Sequence, residues 1–479
     1  MILLKNCLYI LTPDGKPDLQ GADLLIRGNR IARIADSIDP GTAADTGDGE
    51  AVSESGSRAA NGTGGVDSRA HGLEIIDCSR HIVVPGLVNT HHHFYQTLTR
   101  NLRAVQNAKL FQWLVYLYEV WKNIDADAVY YSTLVAVGEL LKTGCTCTTD
   151  HHYLYPRDFQ GDLMGIQFDA AHRLGIRFSP CRGSMSLSKK DGGLPPDTVV
   201  QPADEILRDS RRTIESYHDD SGDSMGKIVL APCSPFSVTE DLMRETALLA
   251  RSYGVRLHTH LAETADEDEY CMRTYGRRPL RLMFDLDFVG SDVSFAHGIF
   301  FDDGELKQLA ETGTSIAHCP SSNMRLGSGI ARVKEMLELD VNVALAVDGS
   351  ASNDTSDMVG EMRAALMLQR VRYGADALTG ADVYRMATEN GARLLGFDGI
   401  GRVEEGGLAD LALFDMSGIE YAGSLSDPPA ALVFAGSSHR TAFTIVNGRI
   451  VVRDGRLVGL DEAEIVARAN EIAARLLPS

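Results

Sequence analysis

The chain has 479 residues, 44% of them hydrophobic and 23% charged, with a formal net charge of −20. That length exceeds one ordinary core, and the balance is that of a soluble globular protein of about two to three domains. The acidic surplus argues against nucleic acid or an anionic membrane as partner, because both select for clustered Lys and Arg.

The first residues are apolar but lack a basic leader region and a small-residue cleavage site, so a strand is expected there, not a signal peptide. No apolar run reaches the roughly 18 residues that would span a bilayer. Short strands are predicted at 3–11, 23–27 and 30–34, with a turn at Pro13-Asp14-Gly15. Over 41–72 the composition shifts to Gly, Ser, Ala and Asp, which predicts a flexible surface excursion. A strand at 73–77 follows. The eight Cys are scattered through apolar segments, as expected of reduced thiols in a cytoplasmic protein. Cys145 and Cys147 are too close for the usual zinc spacing and read as core thiols.

From residue 81 a regular beat begins. Strands are predicted at 81–89, 145–150, 176–182, 227–233, 255–260, 293–297, 314–318 and 341–348, with amphipathic helices between them. The clearest helix has Asp125 as N-cap and stops at Gly144, and others start near Thr239, Asp302 and Thr355. This alternation predicts parallel βαβ units closing into a (β/α)₈ barrel over 81–390. After Gly396 short strands return at 409–414, 432–434, 441–446 and 450–452, with Asn447-Gly448 as a hairpin turn and a terminal helix over 461–477. The strand-rich ends, 1–80 and 391–479, are expected to pair into one small discontinuous β-sandwich.

Chemistry-bearing residues fall at the strand ends. His91 and His93 follow the first strand and share one face, while His92 points away. His260 ends the fifth strand, His297 the sixth and Asp348 the eighth, all at the same mouth of the barrel. His91, His93, His260 and Asp348 are therefore the expected ligands of one divalent ion, and three imidazoles with a carboxylate suit zinc or iron. Glu263, three residues beyond His260, is placed for general acid/base work beside that ion, and alone in its acidic run it lies close to the ligand strand. His258 reads as a core histidine one layer deeper. His151, His152 and His318 are open between supporting and substrate-facing roles. His71, His172, His218 and His439 read as structural or solvated. Gly222-Asp-Ser-Met-Gly226 matches a nucleophile-elbow pattern but precedes a strand, and is read as chance.

The set Val84-Pro85-Gly86-Leu87, Thr90-His91-His92-His93, His260-Leu261-Ala262-Glu263, His297, His318-Cys-Pro-Ser-Ser-Asn323, Val347-Asp348-Gly349 and the 401–410 segment resembles the amidohydrolase superfamily. It is most similar to the mononuclear deaminase and chlorohydrolase branch. The resemblance spans nearly the whole chain apart from 41–72. Binuclear members carry a modified Lys at the end of the fourth strand; here Lys227 opens that strand at its far end, which implies a single ion. The resemblance implies hydrolytic deamination of an amino-substituted heterocycle, with Glu263, His297 and Asp348 moving protons and stabilising the adduct. Gln96, Trp113, Arg182, Cys233 and Ser234 are the expected substrate contacts. The 91–100 run with Trp113 and Cys233 looks most like the group acting on 8-oxoguanine. Guanine, isoxanthopterin, cytosine-type rings and triazine amines or chlorides are the alternatives. A small-molecule substrate and a homo-oligomer are expected.

Overall fold

A computed structural model describes residues 1–12, 16, 18–45, 72–436 and 439–477. The turn expected at 13–15, His71 and most of the excursion expected over 41–72 lie outside the described residues, and Pro40–Asp45 forms a short helix.

Eight parallel strands form the centre: Leu87–Asn89, Cys145–Thr148 continued by His151–His152, Arg177–Phe178 continued by Cys181–Ser184, Val229–Pro232, Arg256–Leu261, Val293–His297, Ser315–His318 and Val343–Leu345. The ring closes between the eighth strand and the first. Thr90 N–H donates to the Leu345 carbonyl at 3.2 Å and Asp348 N–H to the His91 carbonyl at 3.0 Å. The side chain of Asn89 stitches the same seam, accepting from Val347 N–H at 2.9 Å and donating to Thr148 Oγ1 at 3.0 Å. The strands are buried throughout most of their length, as expected where helices cover the outer face.

Helix signals in the sequence act as read. Asp125 caps Ala126–Lys142 by accepting from Ala128 N–H, and Asp302 with Glu305 makes a reciprocal capping box for Asp303–Thr312. No helix among the described residues is long and apolar enough to cross a membrane.

Two further sheets pack together beside the barrel. One has the order Arg30–Ala35, Asp23–Arg27, Ile2–Lys5, Glu74–Asp77; the other runs Tyr9–Ile10, His81–Pro85, Leu411–Asp415, Phe443–Val446, Arg449–Arg453, Arg456–Leu457. Leu4, Ile26, Val83, Leu411 and Ile445 form the core between them, so both chain ends build one sandwich. The single strand predicted over 81–89 is two. It breaks at Gly86, where a Cβ would sit 2.1 Å from Thr146 Oγ1, so His81–Pro85 joins the sandwich and only Leu87–Asn89 joins the barrel. The strand predicted at 3–11 is also interrupted, by Asn6 at φ 56°. The strand predicted at 432–434 is instead the end of helix Pro428–Phe434, which Asp427 caps and paired prolines start. Arg177 and Asp410 tie barrel to sandwich through two 3.1 Å contacts, both side chains fully buried. All eight Cys are buried and free.

Candidate active site

The alternation Arg256-Leu-His-Thr-His-Leu261 turns His258 and His260 into the barrel. His91 and His93 arrive beside them from the first strand. Each ring is pinned through Nδ1: His91 to His258 Nε2 at 2.8 Å, His93 to the His151 carbonyl at 2.8 Å, His260 to the Cys233 carbonyl at 2.7 Å. His258 is held in turn by Ser294 Oγ at 2.8 Å.

A carbonyl can only accept, so Nδ1 of His93 and of His260 carries the proton, and in the neutral rings Nε2 presents a lone pair. Those two Nε2 atoms stand 3.2 Å apart. Asp348 Oδ1 lies 3.4 Å from His91 Nε2 and 3.3 Å from His93 Nε2. The buried His91 Nε2 has no hydrogen-bond partner. Donors around a tetrahedral ion with bonds of about 2.0–2.1 Å stand about 3.3 Å from one another. Three separations that link these four atoms, 3.2, 3.3 and 3.4 Å, thus match the spacing of a coordination shell, and buried acceptors this close repel one another without a cation. The donor set fits a zinc-like ion.

Asp348 is fixed on its far side. Its Oδ2 accepts from Ser322 Oγ at 2.6 Å and Ser352 Oγ at 3.3 Å, and its Oδ1 from Gly349 N–H at 2.7 Å. Burial pushes its carboxyl up, but the close approach of the His91 and His93 rings outweighs this and holds it well below the usual range. Burial lowers His91 and His260 well below the ordinary imidazole value, which keeps them neutral.

Glu263 and His297 face each other across the centre, with Oε2 and Nε2 3.6 Å apart. Burial raises Glu263. Burial would lower His297, but the carboxylates of Glu263 and Asp348 outweigh it and raise the ring. Asn323 Oδ1 lies 2.9 Å from His297 Nδ1. Ala262 (φ 54°), His297 (φ 72°) and Asp348 (φ 62°) all take left-handed backbone at strand ends. For non-glycine residues this costs about 1–2 kcal/mol each, a pattern that collects at functional sites.

A narrow cavity opens over this group. Gln96, Trp113 and Cys233 line it with Leu114, Tyr118, Tyr153, Phe236, Leu326 and Ser352. Two expected contacts are not brought to it. The third strand continues to Ser184, so Arg182 is not its last residue; its guanidinium leaves the barrel interior for Asp209 at 2.8 Å and Gln201 at 2.9 Å, and lies 3.8 Å over the Tyr155 ring. Ser234 turns its hydroxyl into its own loop, onto Ser237 Oγ at 2.7 Å. His92 points away, onto Ser356. His151 stacks on His260 with centroids 4.9 Å apart, and neither His152 nor His318 lines the cavity.

Sequence reasoning missed Tyr118, Tyr153, Phe236, Leu326 and Ser352, which reach the cavity from separate elements and share no local motif. It also missed Glu267, which is fully buried. The Thr264-x-x-Glu267 spacing of a helix-capping motif was the available signal.

The amidohydrolase family model matches residues 82–451. The chain is 47% identical over 401 residues to the 8-oxoguanine deaminase of Pseudomonas aeruginosa, covering 84% of this chain and 89% of that protein. It is 35% identical over 464 residues to the hydroxydechloroatrazine ethylaminohydrolase of a Pseudomonas species, covering 96% and 92%. The crystal structure of atrazine chlorohydrolase from Arthrobacter aurescens, complexed with zinc, superposes with a TM-score of 0.88 at 28% identity, covering 99% of this chain and 100% of that one.

Proposed function

This chain belongs to the amidohydrolase family, and on that premise we propose that it deaminates 8-oxoguanine, with water, to urate and ammonia. The coarser reading, metal-dependent hydrolytic deamination of a small heterocycle, rests on the family and on the 3.2 Å approach of the His93 and His260 lone pairs, the observation that carries it. His91, His93, His260 and Asp348 are the residues that would hold one divalent ion, zinc by preference and iron by the same ligand chemistry. When bound, the ion supplies a water-derived nucleophile near neutral pH.

The chain's own groups do the proton work. Asp348 takes the first proton from the attacking water. Glu263, whose carboxyl burial raises, gives a proton to the ring nitrogen beside the amine-bearing carbon; the carboxylate left behind takes the proton of the added hydroxyl and passes it to the departing amine so that ammonia leaves, and the water proton held by Asp348 then restores it. His297, held by Asn323, steadies the oxygen added to that carbon.

Among the described residues lining the cavity there is no Arg or Lys, so its walls hold no fixed cation of that kind for a substrate phosphate or carboxylate. The lining offers neutral polar atoms instead. Gln96 Oε1 and Tyr118 Oη are buried without a partner, and Trp113 adds a flat apolar face. An uncharged base with amide-like edges satisfies both atoms. The 47% identity favours 8-oxoguanine; the 35% relative favours an aminotriazine as the second reading.

The test is ammonia release by zinc-loaded protein from 8-oxoguanine, guanine, isoxanthopterin, cytosine and an aminotriazine. Release from 8-oxoguanine with the highest kcat/KM is expected. Turnover of guanine with none of 8-oxoguanine would overturn the substrate, and no release from any of them would overturn deamination.

A further inference from the structure

We propose that Glu267 is the positioning residue of this site: its carboxylate fixes the backbone turn that aims Glu263 at the reacting centre. This rests on the reading of Glu263 as the proton carrier.

The carboxylate spans two consecutive amides. Oε1 accepts from Ala262 N–H at 2.9 Å and Oε2 from Glu263 N–H at 2.9 Å. The side chain is fully buried, among the first residues of helix Ala265–Tyr275. Thr264 caps that helix by accepting from Glu267 N–H at 3.3 Å. In an ordinary capping box the acid would reach back to the capping residue's own amide. Here it reaches one and two residues further, into the turn that follows the ligand strand.

That turn needs a clamp. Ala262 is in the left-handed region at φ 54°, and its carbonyl accepts from Ile299 N–H at 2.8 Å and Phe300 N–H at 3.0 Å. With Glu267 in place both amides and that carbonyl are satisfied, and the Glu263 side chain has a fixed root. Two parallel N–H donors require two acceptor oxygens on one rigid plane, which a carboxylate supplies and an amide does not. Burial pushes the Glu267 carboxyl up to about 7, and the two amide donors oppose that rise.

The geometry therefore assigns Glu267 an effect on the chemical step and little on substrate or ion binding, since it reaches neither. Misplacing an acid by about 1 Å costs on the order of a hundredfold in rate. In zinc-loaded, folded Glu267→Gln, kcat for 8-oxoguanine should fall about ten- to hundredfold, with KM and zinc content within twofold of the parent. The exposed neighbour substitution Glu269→Gln should leave both unchanged. If Glu267 acts through Glu263, Glu263→Gln/Glu267→Gln should turn over within twofold of Glu263→Gln alone. A normal kcat in Glu267→Gln, or losses that multiply in the double variant, would overturn the proposal. Should Glu267→Gln not fold, Glu267→Asp keeps the charge but draws the oxygens back, and a normal kcat there overturns it equally. If the parent releases no ammonia from any tested base, it is the deaminase reading that has failed.

Discussion

Ser322 donates a 2.6 Å hydrogen bond to Asp348 Oδ2, the oxygen turned away from the histidines. This leaves Oδ1 alone facing His91 and His93. Such outer partners orient ligands and commonly hold ten- to hundredfold in metal affinity. Ser322→Ala should therefore bind zinc about tenfold more weakly, read by competition with a chromogenic chelator. Unchanged affinity would leave Ser352 and Gly349 as sufficient supports.

Glu263→Gln keeps the volume and removes the transferable proton. Zinc content should stay at the parent's level while kcat falls by about 10²–10⁴. Turnover near the parent's would remove Glu263 from proton transfer.

Tyr118→Phe deletes one unpartnered hydroxyl from the cavity wall. Losing a hydrogen bond to substrate of about 1–1.5 kcal/mol should raise KM about five- to twelvefold, with folding intact. Steady-state kinetics on 8-oxoguanine check this. A KM equal to the parent's would show that the hydroxyl meets no substrate atom.

Much of this site could be read from strand periodicity, because a local rule places His91 beside His93 and His258 beneath His260. Arg182 shows where that rule stops. The third strand breaks between Phe178 and Cys181 and resumes to Ser184, so the strand end was misplaced and the side chain faces helix Ala203–Tyr217. Tyr118, Phe236 and Leu326 were illegible for another reason: each comes from a different segment, and only tertiary packing brings them to one wall. Glu267 was hidden by its company, since the acids on either side of it are at least partly exposed.

Burial pushes the carboxyl of Glu361 from 4.5 up to about 8. It accepts from Ser321 N–H and Asn353 Nδ2, behind the loops that carry Ser322 and Asp348. The folded state thus holds a proton that the unfolded chain releases at lower pH. The stability this contributes is complete below about 4.5 and is lost as pH rises through about 8. Thermal melts should fall between pH 5 and 9, and fall less in Glu361→Gln. Parallel profiles for the two proteins would assign the slope to other groups.

Asp410→Asn removes the charge opposite Arg177 where both side chains are fully buried. Breaking such a pair costs about 3–5 kcal/mol. The urea midpoint should drop accordingly, while zinc affinity, set at the opposite end of the barrel, should hold in protein that remains folded.

The seam that closes the barrel has a consequence for assembly. His91 and Asp348 lie side by side across it, joined by a backbone hydrogen bond, yet 257 positions separate them along the chain (348 − 91). An open arrangement of the first seven strands would present histidines without their carboxylate. Tight capture of an ion is therefore a property of the shut ring, and by mass action the ion favours closure over every unsealed conformer. Zinc uptake during refolding should lag the first appearance of helix and coincide with closure of the ring, which joins strands far apart along the chain.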